Sequence, residues 1–220
     1  MIDLDAQGNL TDTTSASRDH GNIMDVLRKE APITQVIQNT HEVEIVPSTL
    51  ALATADGVFT ETGKEYRLRE SLEGVREEYD YIIIDTPPAL GILTANALVA
   101  ADEIIIPAQA DPYSLEGIIK LNSTLETIRR YCNPGLVVRG ILITRYSGRA
   151  IVIREYAEMI AETAKEMGTK LFTTRIREGV AIRESQALKQ SIFAYAPKSN
   201  VAMDYNDLVN EIIKEEKTRG

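Results

Sequence analysis

The sequence has no tryptophan, one cysteine and no long hydrophobic run. The lone Cys132 excludes a disulfide within the chain and any multi-cysteine zinc or iron–sulfur site built from this chain alone. A transmembrane helix needs roughly 20 consecutive apolar residues, and the sequence has no such run. The N-terminus also lacks the basic region followed by an apolar run that marks a secretory signal peptide. We therefore expect a cytoplasmic protein in a reducing setting, with no membrane partner.

The 220 residues are 44% hydrophobic, which is enough for one substantial core, and we predict a single domain over residues 1–220. Short apolar, β-rich runs alternate with amphipathic stretches, a pattern typical of an α/β fold with a mostly parallel sheet and helices on both faces. Residues 48–66 are predicted to form an irregular surface connection. Strands are predicted at 2–4, 42–47, 81–85, 103–107, 137–143 and 171–175, and helices at 22–28, 67–78, 93–100, 115–131, 153–167, 181–189 and 204–217.

Positive charge is scarce, and it is concentrated in one segment. The net charge is −9 overall; residues 1–138 carry −12, whereas residues 139–198 carry +5. A local basic segment of this kind can bind phosphate groups even on an acidic chain. The alternative is a solvated face whose cations form surface salt bridges.

The strongest local signal is YDYIIIDTPPALG at residues 79–91. Residues 81–84 predict a strand buried on both faces, and Asp85 follows at its carboxyl end, the edge where open α/β sheets place ligands. A carboxylate there can hold Mg²⁺ through water. The alternative is an aspartate that caps a loop or the start of a helix.

A second acidic strand end opens the chain, in the sequence MIDLDAQGN. Asp3 and Asp5 lie two residues apart on a predicted strand and are therefore expected on the same face, where one can orient a water or a metal. Gly8 is expected to supply a positive φ if the following turn needs one. The same letters resemble part of a calcium loop, but the later acidic ligands of that motif are missing.

These motifs together resemble the ParA/Soj family of partition ATPases, which are deviant Walker-type P-loop proteins of the MinD superfamily. DLDAQGN is similar to the DxDPQGN segment of that family, with Ala6 where proline is usual. The long segment YDYIIIDTPPALGILTANALVAADEIIIPAQADPYSLEGI resembles its Walker B region and the strand and helix that follow. ILITRYSGR and the segment that begins RIREGVAIRES resemble its last strands and helices, so the likeness spans nearly the whole chain.

The resemblance implies a P-loop NTPase-like fold, Mg²⁺ with ATP as the substrate, and a homodimer that encloses the nucleotide. It implies that Asp85 holds the metal through water and that Asp5 orients the attacking water. Glu116 is implied to face the nucleotide across the dimer, although it can equally cap its own helix. The residues implied to bind nucleotide are Asp3, Pro87, Glu116 and Arg177.

The resemblance also implies DNA binding without sequence preference, a DNA-bound partner of the ParB kind, and association with the nucleoid. Matching the family's positions gives Arg149 and Arg183 as DNA contacts, with Lys189 as a further candidate. The alternative for each is a surface salt bridge to Glu155, Glu178 or Glu184.

One element of the family pattern is missing. The KGGxxKT loop is expected about 25 residues before DLDAQGN, whereas the only Gly-Lys pair here, Gly63-Lys64, is followed by glutamate. We therefore expect a chain truncated at its N-terminus and impaired in binding and hydrolysing ATP, because this loop supplies backbone N–H groups and lysines to the phosphates.

Three alternatives to a partition ATPase follow from the sequence. One is a binding protein without a P-loop, or an inactive fragment. Another is a MinD-like membrane-associated ATPase, which should end in a basic amphipathic helix, whereas this chain ends in the acidic sequence NEIIKEEK. The third is a carrier like the nitrogenase reductase, which needs cysteines for a bridging cluster.

Overall fold

A computed structural model describes residues 1–148 and 150–219, with side chains through residue 217. The chain divides into two compact units, one formed by Met1–Asp102 with Leu125–Leu136 and the other by Glu103–Thr124 with Val137–Gly220. The single domain over residues 1–220 stays a prediction.

The first unit begins with a short parallel strand pair. Its strands are β1 (Ile2–Asp3), β2 (Gln38–Asn39), β3 (Glu44–Ile45) and β4 (Ile84–Asp85). Its helices are α1 (Asn9–Thr13), α2 (Ile23–Leu27), α3 (Ile33–Val36), α4 (Ala55–Val58), α5 (Arg67–Leu72) and α6 (Ile92–Ala100), with 3₁₀ turns at Leu50–Thr54, Lys64–Tyr66 and Arg76–Glu78.

Strand β1 is the buried strand of this unit. It pairs in parallel with β4, with Asp3 opposite Asp85, and the N–H of Leu4 donates to the carbonyl of Asp85 at 2.9 Å. On its other side the N–H of Asp3 donates to the carbonyl of Val46 at 3.2 Å. Ile2 and Leu4 are at most 2% exposed because β1 has a neighbour on both sides. The carboxyl ends of β1 and β4 therefore meet at one edge, as their sequences predicted.

Strand β4 is less buried than its sequence predicted. Tyr81 and Ile83 are 63% and 54% exposed, whereas Ile82 and Ile84 pack against the core. The prediction of burial on both faces is wrong, since solvent reaches the side chains of Tyr81 and Ile83. Within residues 1–148 and 150–219, β4 pairs only with β1. The ladder is accordingly limited to Ile84 and Asp85.

Residues 48–66 are more ordered than predicted. They form the 3₁₀ turns and α4, and they bury Leu52, Ala55 and Phe59 in the core. The guanidinium of Arg67 lies over the Phe59 ring, 4.9 Å from its centre. The prediction of a surface connection is therefore wrong for these three apolar side chains. Their burial was missed because they are not spaced with the period of a helix or a strand.

The second unit is built around another parallel pair. Its strands are β5 (Glu103–Ala108) and β6 (Val137–Ile143), and its helices are α7 (Pro112–Tyr131), α8 (Ile151–Glu166), α9 (Val180–Ala187), α10 (Ile192–Tyr195) and α11 (Asn200–Arg219), with α7 ending in the first unit.

Long elements follow their predicted bounds most closely. Strand β6 has the bounds predicted for it, and α8 buries Ala157, Ile160 and Ala164 at helical spacing. The strand predicted at 171–175 is wrong: around it, only isolated bridges form, from Leu171 to Ile141 and from Arg177 to Tyr146. Parallel strands alternating with helices confirm the α/β fold class. Among the described residues, no helix is both long enough and apolar enough to cross a membrane.

Candidate active site

Asp3 lies at the end of β1 and has no exposed surface. Its Oδ2 accepts hydrogen bonds from the N–H of Thr11 at 2.8 Å and from the Thr11 hydroxyl at 2.7 Å, and its Oδ1 accepts from the N–H of Asp5 at 3.1 Å. A buried carboxylate requires such donors, and three of them satisfy it here. Its predicted contact with nucleotide stays a prediction.

Asp5 lies two residues beyond Asp3 and is half-buried. Its Oδ1 accepts a hydrogen bond from the N–H of Gln7 at 3.0 Å, and its carbonyl accepts from the N–H of Gly8 at 2.9 Å. The hydroxyl of Ser48 donates to the same carbonyl. The backbone of Asp5 is therefore fixed, while its carboxylate is partly accessible.

Gly8 makes the sharp turn that leads into α1. Its φ of +67° confirms the left-handed conformation expected of it. The guanidinium of Arg18 donates to the Gly8 carbonyl at 3.3 Å and pairs with Asp12 at 3.0 Å. A Cβ at position 8 would lie 2.2 Å from the Arg18 Nη2, so a larger residue would displace the arginine as well as strain the turn.

Asp85 lies at the end of β4 and is exposed. Burial of part of the carboxyl raises its pKa, and the negative charges of Asp3 and Asp5 raise it further, whereas a hydrogen bond from the Thr86 N–H opposes the rise. Asp3 and Asp5 are thus close enough to repel the negative charge of Asp85, and a cation would relieve that repulsion. Accessible carboxylate oxygens are ligands that Mg²⁺ prefers, so Asp85 and Asp5 fit a hydrated magnesium ion.

The raised pKa of Asp85 predicts how stability depends on pH. The folded chain holds this proton more tightly than the unfolded chain, so the contribution of Asp85 is most favourable below its ordinary pKa of 3.8 and is lost as the pH rises through the folded pKa. We expect Asp85→Asn to remove this loss and therefore to raise the melting temperature at neutral pH. The increase should be no more than about 3 °C, because solvent screens the charge of an exposed carboxylate.

Thermal melts at neutral and acidic pH test this effect. The gain from Asp85→Asn should shrink toward pH 4, and the same change at the exposed Asp80 serves as the matched control. A lower melting temperature for Asp85→Asn at neutral pH would show that the ionised carboxylate stabilises the fold.

The loop after Asp85 is largely exposed, and its ends are anchored. The Thr94 hydroxyl donates to the Ala89 carbonyl at 2.6 Å, and Asp56 accepts from the N–H of Ile92 at 2.8 Å where α6 begins. Pro87 is half-buried within this loop. Its role in nucleotide binding stays a prediction.

Glu116 and Arg177 lie in the second unit, and each already has a partner. Glu116 is exposed on α7 and pairs with Lys120 at 2.7 Å, which lowers the pKa of the Glu116 carboxyl. The Arg177 guanidinium donates to both carboxylate oxygens of Asp204, at 2.8 and 2.7 Å. The structure does not bring Glu116 and Arg177 into one ion pair or hydrogen bond, and their nucleotide roles stay predictions.

Of the predicted DNA contacts, Arg149 lies outside the described residues. Arg183 and Lys189 are exposed at α9 and just after it, and within the described part of the chain neither forms a salt bridge. Glu178 pairs instead with Arg145 at 3.3 Å, and Glu184 accepts a hydrogen bond from the Tyr195 hydroxyl at 3.0 Å. Both candidates are therefore exposed cations without an ion-pair partner among the described residues.

Two other features bear on ligands. Across residues 1–148 and 150–219, no three His, Cys, Asp or Glu side chains converge closely enough to hold a metal directly. A cavity of about 30 Å³ lies in the first unit beside residues that include Ile33, Leu72 and Val75, and no predicted site residue lines it. The accessible surface near Asp5 and Asp85 is therefore the better candidate site.

Comparison with known proteins gives consistent results. A family model described as an AAA domain matches residues 1–138. The sporulation initiation inhibitor protein Soj of Bacillus subtilis is 34% identical over 96% of this chain and 85% of its own length. The chromosome partitioning protein ParA of Myxococcus xanthus is 33% identical over 97% of this chain and 76% of its own. Cobyrinic acid a,c-diamide synthase from Mycobacterium smegmatis, solved with bound ADP and magnesium, superposes with a TM-score of 0.82 at 25% identity, covering 100% of this chain and 82% of that one.

Proposed function

Because this chain belongs to the ParA/Soj/MinD family of P-loop ATPases, we propose that it is a partition ATPase that forms a nucleotide-dependent homodimer and binds DNA without sequence preference. The observation that carries this proposal is the placement of Asp5 and Asp85. Both follow neighbouring parallel strands at the same edge, and both carboxylates are at least partly accessible. That edge is where α/β folds bind ligands.

The two carboxylates have different proposed roles. Asp85 holds Mg²⁺ through water, and the bound ion neutralises charge on the phosphates of ATP. Asp5 orients the attacking water, a task that suits a side chain whose backbone is fixed by hydrogen bonds from Ser48 and Gly8. Asp3 is proposed to act through Asp5, since its own carboxylate is buried.

The remaining nucleotide contacts are proposed on the resemblance. Pro87 lies in the anchored loop after Asp85, and Glu116 is proposed to face the nucleotide of the partner subunit in the dimer. The Arg177 side chain is 49% exposed despite its pair with Asp204, so its accessible surface is available to a base.

Partition also requires DNA and a regulator. Arg183 and Lys189 are proposed to contact phosphates, together with Arg149. A DNA-bound protein of the ParB kind is proposed to stimulate hydrolysis, and the ATP-bound dimer is then associated with the nucleoid. Electrostatic contacts to phosphates carry no base information, which fits binding without sequence preference.

We also propose that nucleotide binding and turnover are impaired in the 220-residue chain, because it contains no Gly-Lys-Ser or Gly-Lys-Thr sequence. The same observation favours a second candidate function, a binding protein that keeps the dimer or partner surface without hydrolysing ATP.

Titration with a fluorescent ATP analogue separates the two candidates. A weak ATPase should bind the nucleotide only with Mg²⁺ present, and Asp85→Ala should weaken this binding at least tenfold, whereas Asp80→Ala should not. A binding protein should show no magnesium-dependent nucleotide binding up to millimolar concentration, and that result would overturn the ATPase proposal.

DNA binding gives an independent prediction. We expect Arg183→Glu and Lys189→Glu together to weaken binding to random duplex DNA and to reduce the slope of log affinity against log salt by about 0.9 for each lost contact. Fluorescence anisotropy over a salt series measures both. Lys120→Glu changes an exposed lysine outside the basic segment and serves as the control. Unchanged affinity and slope in the double variant would mean that these cations form only a solvated face.

A further inference from the structure

Three polar residues in the first unit form a hydrogen-bonded cluster with no exposed surface. They are Asp3, Thr11 and Ser48, which we call the Asp3 network, and each is 0% exposed. The Thr11 hydroxyl donates to Asp3 at 2.7 Å and accepts from the N–H of Ser48 at 2.9 Å. The network thereby joins the end of β1, the helix α1 and the segment that follows β3.

The Asp3 network meets Asp5 at both of its backbone polar groups. The Asp3 carboxylate accepts from the N–H of Asp5 at 3.1 Å, and the Ser48 hydroxyl donates to the carbonyl of Asp5. The Asp5 carboxylate stays partly accessible, because the residue is only half-buried. Its Oδ1 accepts only a local hydrogen bond, from the N–H of Gln7.

A purely structural role does not account for this arrangement. Three apolar side chains could fill the same space without the cost of removing a carboxylate and two hydroxyls from water. The polar groups are useful where a backbone must be held at one position, since hydrogen bonds are directional and packing is not. Asp3 and Ser48 bond to the backbone of Asp5 directly, and Thr11 bonds to both Asp3 and Ser48.

We propose that Asp3, Thr11 and Ser48 are positioning residues that fix the location of the Asp5 carboxylate, an inference that rests on the proposed role of Asp5 in hydrolysis. A displacement of about 1 Å can cost a catalytic group about a hundredfold in rate, so a fixed backbone has a direct chemical benefit. Asp3 thus belongs to the site without touching nucleotide.

Amide hydrogen exchange tests the proposal in the full chain. Thr11→Val keeps the shape of the side chain and removes the hydroxyl, and we expect the Asp5 amide to exchange about tenfold faster, the effect of one lost buried hydrogen bond. Thr11→Ser restores the hydroxyl and should return the rate to within about twofold of wild type. Thr13→Val is the matched control on the same helix, because the Thr13 hydroxyl bonds only to the Asn9 carbonyl.

Ser48→Ala provides a second variant if Thr11→Val does not fold. It removes the donor to the Asp5 carbonyl and keeps the Ser48 N–H, and we expect faster exchange at Gly8, whose N–H bonds to that carbonyl. The amide of the buried Phe59, which bonds to the Ala55 carbonyl at 2.9 Å in the same unit, reports on wider opening of the fold and should not change. Equal acceleration at Phe59, or wild-type rates at Asp5 and Gly8 in the folded variants, would overturn the positioning role.

Turnover measured in parallel separates this inference from the proposed function. If wild type hydrolyses ATP, Thr11→Val should lower kcat about tenfold or more with little change in KM, and Thr11→Ser should recover it. If wild type shows neither turnover nor magnesium-dependent nucleotide binding but the Asp5 amide responds as expected, the ATPase proposal fails and the control of Asp5 by the Asp3 network stands. If hydrolysis is present and the amides do not respond, the positioning role alone is wrong.

Discussion

Arg139→Met should lower the free energy of unfolding by about 3 kcal/mol, the low end of the cost of breaking a buried ion pair. Arg139 lies on β6 with its side chain only 3% exposed. Its guanidinium contacts Glu103 and pairs with Glu216 at 3.0 Å, and it donates to the Ile212 carbonyl at 2.7 Å. Methionine fills part of the space but leaves two carboxylates and a carbonyl without their common donor.

We expect a loss of unfolding free energy at the low end of this range because both carboxylates retain some contact with water. The Glu103 and Glu216 side chains are 36% and 33% exposed, so their charges are screened when the arginine is removed. Urea unfolding followed by circular dichroism measures the effect. Arg145→Met is the control, since the exposed pair of Arg145 with Glu178 should contribute less than about 1 kcal/mol. Equal losses in the two variants would show that burial adds nothing to the Arg139 cluster.

Arg139 also shows where sequence reasoning reaches its limit. Its strand was predicted with the bounds that the structure has, because the residues around Arg139 are rich in valine, isoleucine and leucine. The charge of Arg139 was counted with the basic segment, yet that charge is used inside the second unit. One of its partners, Glu216, is 77 residues away along the chain, and no local pattern connects the two.

Some residues of the candidate site could likewise be predicted from the sequence, and others could not. Asp5 and Asp85 could be placed at one edge from sequence, because parallel strands carry their ligands at their carboxyl ends. Thr11 and Ser48 could not be found, since they lie in segments without a clear period and meet Asp3 and Asp5 only after folding. The burial of residues 81–84 was mispredicted for a related reason: an apolar run indicates a strand, but the burial of its side chains depends on what packs against the two faces of the sheet.

The last expected result concerns catalysis. The 220-residue chain should turn over Mg·ATP at least about a thousandfold more slowly than Bacillus subtilis Soj assayed in parallel, because phosphoryl transfer depends almost wholly on positioning and charge neutralisation. Asp5 and Asp85 are proposed to supply the water and metal side of that chemistry. The backbone N–H groups and lysines that hold the phosphates come from a Gly-Lys-Ser/Thr loop in such enzymes, and this sequence contains none.

Phosphate release at saturating Mg·ATP, with and without duplex DNA, provides the measurement. Asp85→Ala sets the background, because it removes the proposed metal ligand and leaves the remainder of the edge intact. Wild-type turnover that approaches that of Soj and is lost in Asp85→Ala would show that other groups of this chain hold the phosphates, and the proposal of impairment would then be wrong. Turnover equal to the Asp85→Ala background, combined with magnesium-dependent nucleotide binding, would instead place the defect in the phosphate contacts, since the carboxylates at the ends of β1 and β4 would still be functional.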